Sequence, residues 1–112
     1  MDGYPDDALL ERIRQWDIHD KRGVLELLVE EWYYPERARE VRPGLFAFST
    51  GGWSGNEDLL GALYESKPWF VMAWNAIKVP GGLLCVAVDK SAQAEMSALH
   101  DRIVDWCWKE AE

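Results

Sequence analysis

The chain has 112 residues, of which 48% are hydrophobic and 29% charged, and such a chain folds as one domain rather than remaining disordered. Twenty acidic and twelve basic residues give a net charge of −8, which argues against binding to nucleic acid or anionic lipid, because both need a basic surface. No apolar run approaches the roughly 20 residues of a membrane-spanning helix, and the acidic N-terminus does not resemble a signal peptide. We therefore expect a cytoplasmic protein.

The N-terminal third predicts two helices. The first begins with the acidic segment 4–7 and continues with apolar residues at helical spacing, namely Leu9, Leu10, Ile13 and Trp16. The second runs from about Lys21 to Tyr34, where Pro35 stops it. Its outer face carries Glu26 and Glu30, and we expect the two helices to form an antiparallel pair.

A glycine-rich turn organises the middle of the chain. After a charged linker at residues 35–43, a strand is predicted over Leu45 to Phe48, and two adjacent glycines then allow the backbone to reverse. Ser54 precedes Glu57 by three residues, which is the spacing of a capping box. We therefore expect Ser54 to cap a helix over residues 55–65.

Two further strands are predicted to form a hairpin. They cover Trp69 to about Ile77 and Leu83 to Val88, and the Val-Pro-Gly-Gly segment between them has the residue order of a type II turn. The first strand is apolar on both faces, so both faces need cover. We favour cover by helices of the same domain. The alternative is a second chain, in a homodimer or heterocomplex, that contacts Trp69 or Trp74.

The last predicted helix, over residues 92–109, is capped by Asp89 or Ser91 and buries Met96, Leu99, Ile103 and Trp106. The element order is α-α-β-α-β-β-α, so we predict a single α+β domain over residues 1–112. In it, about four helices pack on a three-stranded sheet. The first two strands could be parallel, joined by a helical crossover, or antiparallel.

The residues that could support catalysis are few and separate. His100 and Cys107 are seven positions apart on the last predicted helix, about 10 Å along its axis, which is too far for a Cys–His pair. Cys85 lies in an apolar run, where a buried inert thiol is expected. His19 lies in an acidic connector that lacks the defined ligand set of a metal site. We predict no catalytic residue, metal or cofactor.

Two surface regions are candidate binding sites. The acidic second helix ends in three aromatic residues, a combination typical of docking surfaces, although Trp32 could equally fold back onto the core. The second region is the turn 50–56 with a tryptophan at its centre. Together the candidate binding residues are Trp53, Ser54, Asn56, Trp32, Tyr33, Tyr34, Glu26 and Glu30.

These regions support two hypotheses from different classes. The first is a non-enzymatic acidic module that binds a basic surface of another protein. The alternative is a small-molecule or anion binder, for example of a nucleotide, because a glycine-rich turn before a helix is a geometry that binds phosphate. The spacing in the turn 50–56 matches neither the dinucleotide fingerprint nor the P-loop. A turn closed by Trp53 would argue against the alternative.

The run Phe-Ser-Thr-Gly-Gly-Trp-Ser-Gly-Asn-Glu at residues 48–57, followed by an aromatic stretch and Pro-Gly-Gly, resembles small uncharacterised proteins of bacteriophages and prophages. The resemblance covers about residues 44–88. It implies a compact phage-type protein that acts in the host cytoplasm and binds a host factor. It implies no catalytic residue.

Overall fold

A computed structural model describes residues 4–79 and 82–98, and its first two elements are helices. Helix α1 covers Asp7–Arg14 and α2 covers Lys21–Glu31. Each begins after an aspartate whose carboxylate accepts a hydrogen bond from a backbone N–H three residues on, as N-caps do. Helix α2 ends earlier than predicted because Trp32 leaves the helical conformation, with ψ at 130°.

Four strands form one antiparallel sheet: β1 (Ala38–Arg42), β2 (Leu45–Ser49), β3 (Ala76–Val79) and β4 (Leu83–Ala87). Their spatial order is β1-β2-β4-β3. Because β2 and β3 are both antiparallel to β4, they run in the same direction, with β4 between them. Of the two arrangements that the sequence leaves open for these strands, the parallel one with a helical connection is therefore the one observed, although the two strands are not neighbours in the sheet.

The prediction of three strands is wrong, because the predicted linker 35–43 contains β1. A 3-10 turn at Pro35–Arg37 leads into this strand, which pairs with β2 from Ala38↔Phe48 to Arg42↔Leu45. Strand β1 lies at an edge of the described sheet, and most of its side chains are exposed. An edge strand needs few apolar residues, which is why its charged sequence concealed it.

The predicted strand 69–77 is also mostly wrong. Helix α4 covers Lys67–Met72, a 3-10 turn covers Ala73–Asn75, and only the following residues form β3. Ser66 is the N-cap of this helix, and its Oγ accepts a hydrogen bond from the backbone N–H of Trp69 at 3.3 Å. The predicted β3–β4 hairpin is confirmed, whereas Pro80 and Gly81 of its turn lie outside the described residues.

Two more helices complete the described part of the chain, α3 (Ser54–Tyr64) and α5 (Lys90–Ala98). Of the two caps considered for the last helix, Asp89 is the one whose carboxylate accepts a hydrogen bond from Ala92 N, at 2.8 Å. The rest of the predicted last helix, with Leu99, Ile103 and Trp106, lies outside the described residues.

The sheet is covered on both faces, as its apolar strands require. Helices α1 to α4 pack against one face, where β2 and β4 contribute Phe46, Phe48, Leu84 and Val86. Helix α5 packs through Ala92 and Met96 against the other face, which contains Cys85. Four described helices therefore share one face, and α5 lies on the other. Within that layer α1 lies chiefly along α3, so the expected α1–α2 pair is not the main contact of either helix.

Candidate binding surface

Four aromatic rings from three segments of the chain form a continuous row on the surface. Tyr4 lies 4.8 Å from Trp53 between ring centroids, Trp53 lies 4.8 Å from Tyr33, and Tyr33 lies 4.6 Å from Tyr34. We call these four residues the aromatic row. The segments that supply them precede α1, follow α2 and precede α3, so only the tertiary fold assembles the row.

Asn56 holds the row in place from the interior of the protein. Its side chain is fully buried: Oδ1 accepts a hydrogen bond from Tyr33 N at 2.9 Å, and Nδ2 donates to the carbonyl oxygens of Tyr33 at 2.8 Å and Thr50 at 3.2 Å. These bonds hold the end of α2 against the glycine-rich turn. Asn56, predicted as a contact residue, therefore supports the surface from inside.

Trp32 likewise belongs to the interior. It is 3% exposed, its Nε1–H donates to the carbonyl of Ser49 at 2.9 Å, and its ring lies 5.2 Å from that of Phe48. The indole thus joins the end of α2 to β2 and satisfies a buried backbone acceptor. Of the three aromatic residues predicted at the end of the second helix, only Tyr33 and Tyr34 reach the surface.

The predicted capping box at Ser54 is not formed. Trp53 is the residue with extended backbone (φ −86°, ψ 120°) at the N-cap position, and Ser54 is the first residue of α3. The side chain of Trp53 makes no capping hydrogen bond to this helix. The Ser54 hydroxyl instead lies 2.8 Å from the Tyr4 hydroxyl, which ties the N-terminal segment to the row.

Arg37 and Tyr34 close over the glycine-rich turn. A Cβ added at Gly51, which has a φ of +62°, would lie 3.1 Å from Arg37 Cδ and 3.4 Å from Tyr34 Cδ2. The Arg37 guanidinium carbon lies 5.7 Å from the centroid of the Tyr34 ring. Gly51 is needed here for both its backbone conformation and its lack of a side chain.

The polar groups of the turn are largely used within the protein. Trp53 N donates to Thr50 O at 3.0 Å, and Gly52 N approaches Thr50 Oγ1 at 3.3 Å. The N–H groups of Gly52 and Trp53 therefore already have acceptors within the turn. Trp53 also packs between two tyrosine rings above the turn.

The surroundings of the row are acidic. Each segment that supplies a ring carries exposed carboxylates within five positions of it: Asp6, Asp7, Glu30, Glu31, Glu36, Glu57 and Asp58. Glu26 is also exposed, one helical turn before Glu30, and its Oε2 lies 3.9 Å from Arg22 Nη1. The predicted acidic residues therefore lie on the surface, on the helix that leads to the row.

A second apolar surface lies on α4 and on the 3-10 turn that follows it. Phe70 is 80% exposed, Trp74 is 86% exposed and Val71 is 41% exposed. We call these three residues the α4 ridge. The neighbouring Trp69 packs instead on Tyr64, with ring centroids 4.9 Å apart. Of the two tryptophans considered as contacts in the alternative of a second chain, Trp74 is thus the one that faces solvent.

The charged side chains of Glu40 and Arg22 at the β1–β2 turn are paired with each other, and Glu40 also binds the backbone of the turn. Glu40 Oε2 accepts hydrogen bonds from Gly44 N at 2.6 Å and from Arg22 Nη1 at 2.8 Å. The Gly44 N–H, and after it the Arg22 guanidinium, hold the pKa of Glu40 below its usual value. The hydrogen bond to Glu40 in turn raises the pKa of Arg22. A shallow, open depression at residues 40–43 lies beside this cluster.

The described residues contain no group of three or more histidine, cysteine, aspartate or glutamate side chains that could hold a metal ion. Cys85 is a buried free thiol, and His19 is exposed, with its backbone N–H bonded to Asp17 Oδ1 at 2.9 Å. His100 and Cys107 lie outside the described residues. Among the helices of the described part, none is long and apolar enough to cross a membrane.

Comparisons of the chain with protein families, with curated proteins and with solved structures find no significant match. The features of this chain that bear on its function are therefore the aromatic row, its acidic surroundings and the buried groups that hold it.

Proposed function

We propose that the protein is a non-enzymatic binding module that docks on a basic surface of another protein through the aromatic row. The observation that carries the proposal is the row itself, in which Tyr4, Tyr33 and Tyr34 remain 42%, 38% and 38% exposed although each ring contacts another. Tyrosine and tryptophan dominate the binding energy of many protein interfaces, because a rigid ring buries a large area at a small entropic cost.

The rigidity of the row supports this proposal. Asn56 clamps Tyr33 from below, and the Ser54 hydroxyl holds Tyr4, so the rings are positioned before any partner arrives. A preorganised surface loses little conformational entropy on binding. Such a surface suits an anchor that enters a pocket or stacks on a partner.

The negative charge of this protein favours a partner with a basic surface. The exposed carboxylates around the row, in a chain of net charge −8, attract a basic surface and speed its association. The resemblance of residues 44–88 to small phage proteins implies that this partner is a host protein. Anion binding at the turn 50–56 is less favoured, because Glu57 and Asp58 place negative charge at the start of α3.

The test is affinity capture from a bacterial lysate, followed by measurement of the dissociation constant with the purified partner at low and moderate salt. We expect binding that weakens with salt and that weakens by at least about tenfold in Trp53→Ala. Trp74→Ala is the matched control, because it removes an exposed indole outside the row and should leave the affinity unchanged. A folded Trp53→Ala protein with wild-type affinity would refute the proposal.

A further inference from the structure

The α4 ridge is a preformed apolar surface. By the spacing of a helix followed by a 3-10 turn, Lys67, Phe70, Val71 and Trp74 lie on one side, at positions i, i+3, i+4 and i+7. Pro68 and Met72 on the opposite side are buried, and Ser66 caps the helix. The ridge is therefore fixed to the core while its two large aromatic side chains face solvent.

The exposed area is substantial. Phenylalanine and tryptophan each bury roughly 150–250 Å² when covered, and these two are 80% and 86% exposed. Together they offer about a third to a half of the roughly 800 Å² that each partner contributes to a standard interface. The exposed side chains of Val71 and Lys67 add to this area.

We propose that the α4 ridge packs against the α4 ridge of a second copy of this chain about a two-fold axis. The sequence of the ridge is self-complementary in that arrangement. Two antiparallel helices centred between Phe70 and Val71 place each Phe70 opposite Val71 of the partner subunit. The same register places each Lys67 ammonium at the indole of Trp74 of the partner subunit, which is a cation–π pairing.

The charges near the ridge favour a second copy at this place. Each copy carries a net charge of −8, so copies repel one another over most of their surface. At this end of the molecule Lys67 and Lys78 are exposed, and the carboxylate of Glu65 is paired with Arg14 Nε at 3.0 Å. Repulsion between copies is therefore smaller here. Lys78 on the short edge strand β3 also disfavours association by extension of the sheet.

Sedimentation velocity over a wide range of protein concentration tests the proposal without any other partner. We expect the mass to rise from 12.9 kDa to twice that value, and the dimer fraction to increase with salt, which screens the repulsion between the acidic copies. Trp74→Glu and Phe70→Glu should each raise the dimer dissociation constant at least about tenfold. Lys67→Ala should weaken the dimer, and Lys67→Arg should retain it.

Trp53→Ala is the matched control for the loss of an indole and should dimerise as the wild type does. Circular dichroism should show the same helix content in all variants, because the substituted ridge side chains are exposed. A wild-type mass of one chain at every concentration would overturn the proposal, and so would a Trp74→Glu variant that dimerises normally. Neither result bears on the aromatic row, which is tested by partner affinity.

Discussion

Asn56 shows how one buried amide can define a surface. It is bonded to the backbone N–H and carbonyl of Tyr33, 23 positions away, and to the carbonyl of Thr50. A side chain of another length could not reach all three groups at once. The geometry of the aromatic row therefore depends on a residue that a partner would never touch.

Replacing Asn56 with alanine should lower the free energy of unfolding by about 2–4 kcal/mol, because three polar groups in a buried or part-buried setting lose their partner. Urea denaturation measures the change. Asn75→Ala is the control, since Asn75 is only half-buried, and it should change stability by less than about 0.5 kcal/mol. Equal effects of the two substitutions would contradict the clamp assigned to Asn56.

Glu40 should make stability depend on pH. Its pKa is lower in the folded protein than in the unfolded chain, so its contribution is present above the unfolded pKa and is lost as the pH falls through the folded value. Glu40→Gln should cost about 0.5–1 kcal/mol at pH 7, since the side chain is 33% exposed and partly screened.

The cost of Glu40→Gln should disappear as the pH falls from the pKa of an unfolded glutamate, about 4.3, through the lower pKa of Glu40 in the folded protein, where the wild-type carboxylate becomes protonated. Thermal or urea unfolding across that range measures the difference between the two proteins. Glu26→Gln serves as the control, because Glu26 is exposed and its Oε2 lies 3.9 Å from Arg22 Nη1, beyond hydrogen-bond distance, so this substitution should change stability by less than about 0.5 kcal/mol. A constant difference at all pH values would contradict the role of the Glu40 charge.

At the level of single residues, the sequence predicts several members of the aromatic row but not which of the candidate side chains face the interior. Tyr33, Tyr34, Trp53 and Ser54 were predicted and do come together. Trp32 and Asn56 were also predicted, but distant backbone groups hold both inside. Tyr4 was missed because nothing in its local pattern connects it to residue 53, and only the fold makes that connection.

Among the elements, α4 explains the largest error in the prediction of the fold. Seven apolar residues within Trp69 to Ala76 fit a strand covered on both faces, but they fit a short helix equally well. Ser66 followed by Pro68 is a helix-start signal, which the prediction of a strand from Trp69 overlooks. The consequence is functional, because a strand would have buried Phe70 and Trp74, whereas the helix exposes them.

Trp53 allows a test of the N-terminus of α3. The position favours aspartate or serine as an N-cap, yet the chain has a tryptophan there and lacks a side-chain cap bond. Trp53→Asp and Trp53→Ala both remove the ring, but only aspartate supplies a cap. The aspartate variant should therefore be about 1 kcal/mol more stable than the alanine variant in urea denaturation. Equal stability would show that the amides of this turn are already satisfied by other groups.

On the scale of the whole molecule, the sheet separates two apolar layers, and Cys85 lies within it on β4. Its thiol is 1% exposed, so a thiol reagent should reach it only when the sheet opens. In a Cys107→Ser background, labelling of Cys85 should proceed only through global unfolding. Its rate should therefore fall as the free energy of unfolding rises and increase with denaturant. Fast labelling that does not respond to denaturant would contradict the burial of this strand.

The α+β class and the β3–β4 hairpin followed from the sequence because they depend on local patterns, such as apolar runs and helix caps. The strand order did not, because it depends on which long-range pairings form. One consequence of that order concerns the growing polypeptide. Strand β4 is synthesised after both of its neighbours, β2 and β3, and lies between them. On the ribosome, the facing edges of these earlier strands remain open until residues 83–87 leave the exit tunnel, so the sheet is completed from its middle, at a late moment of translation.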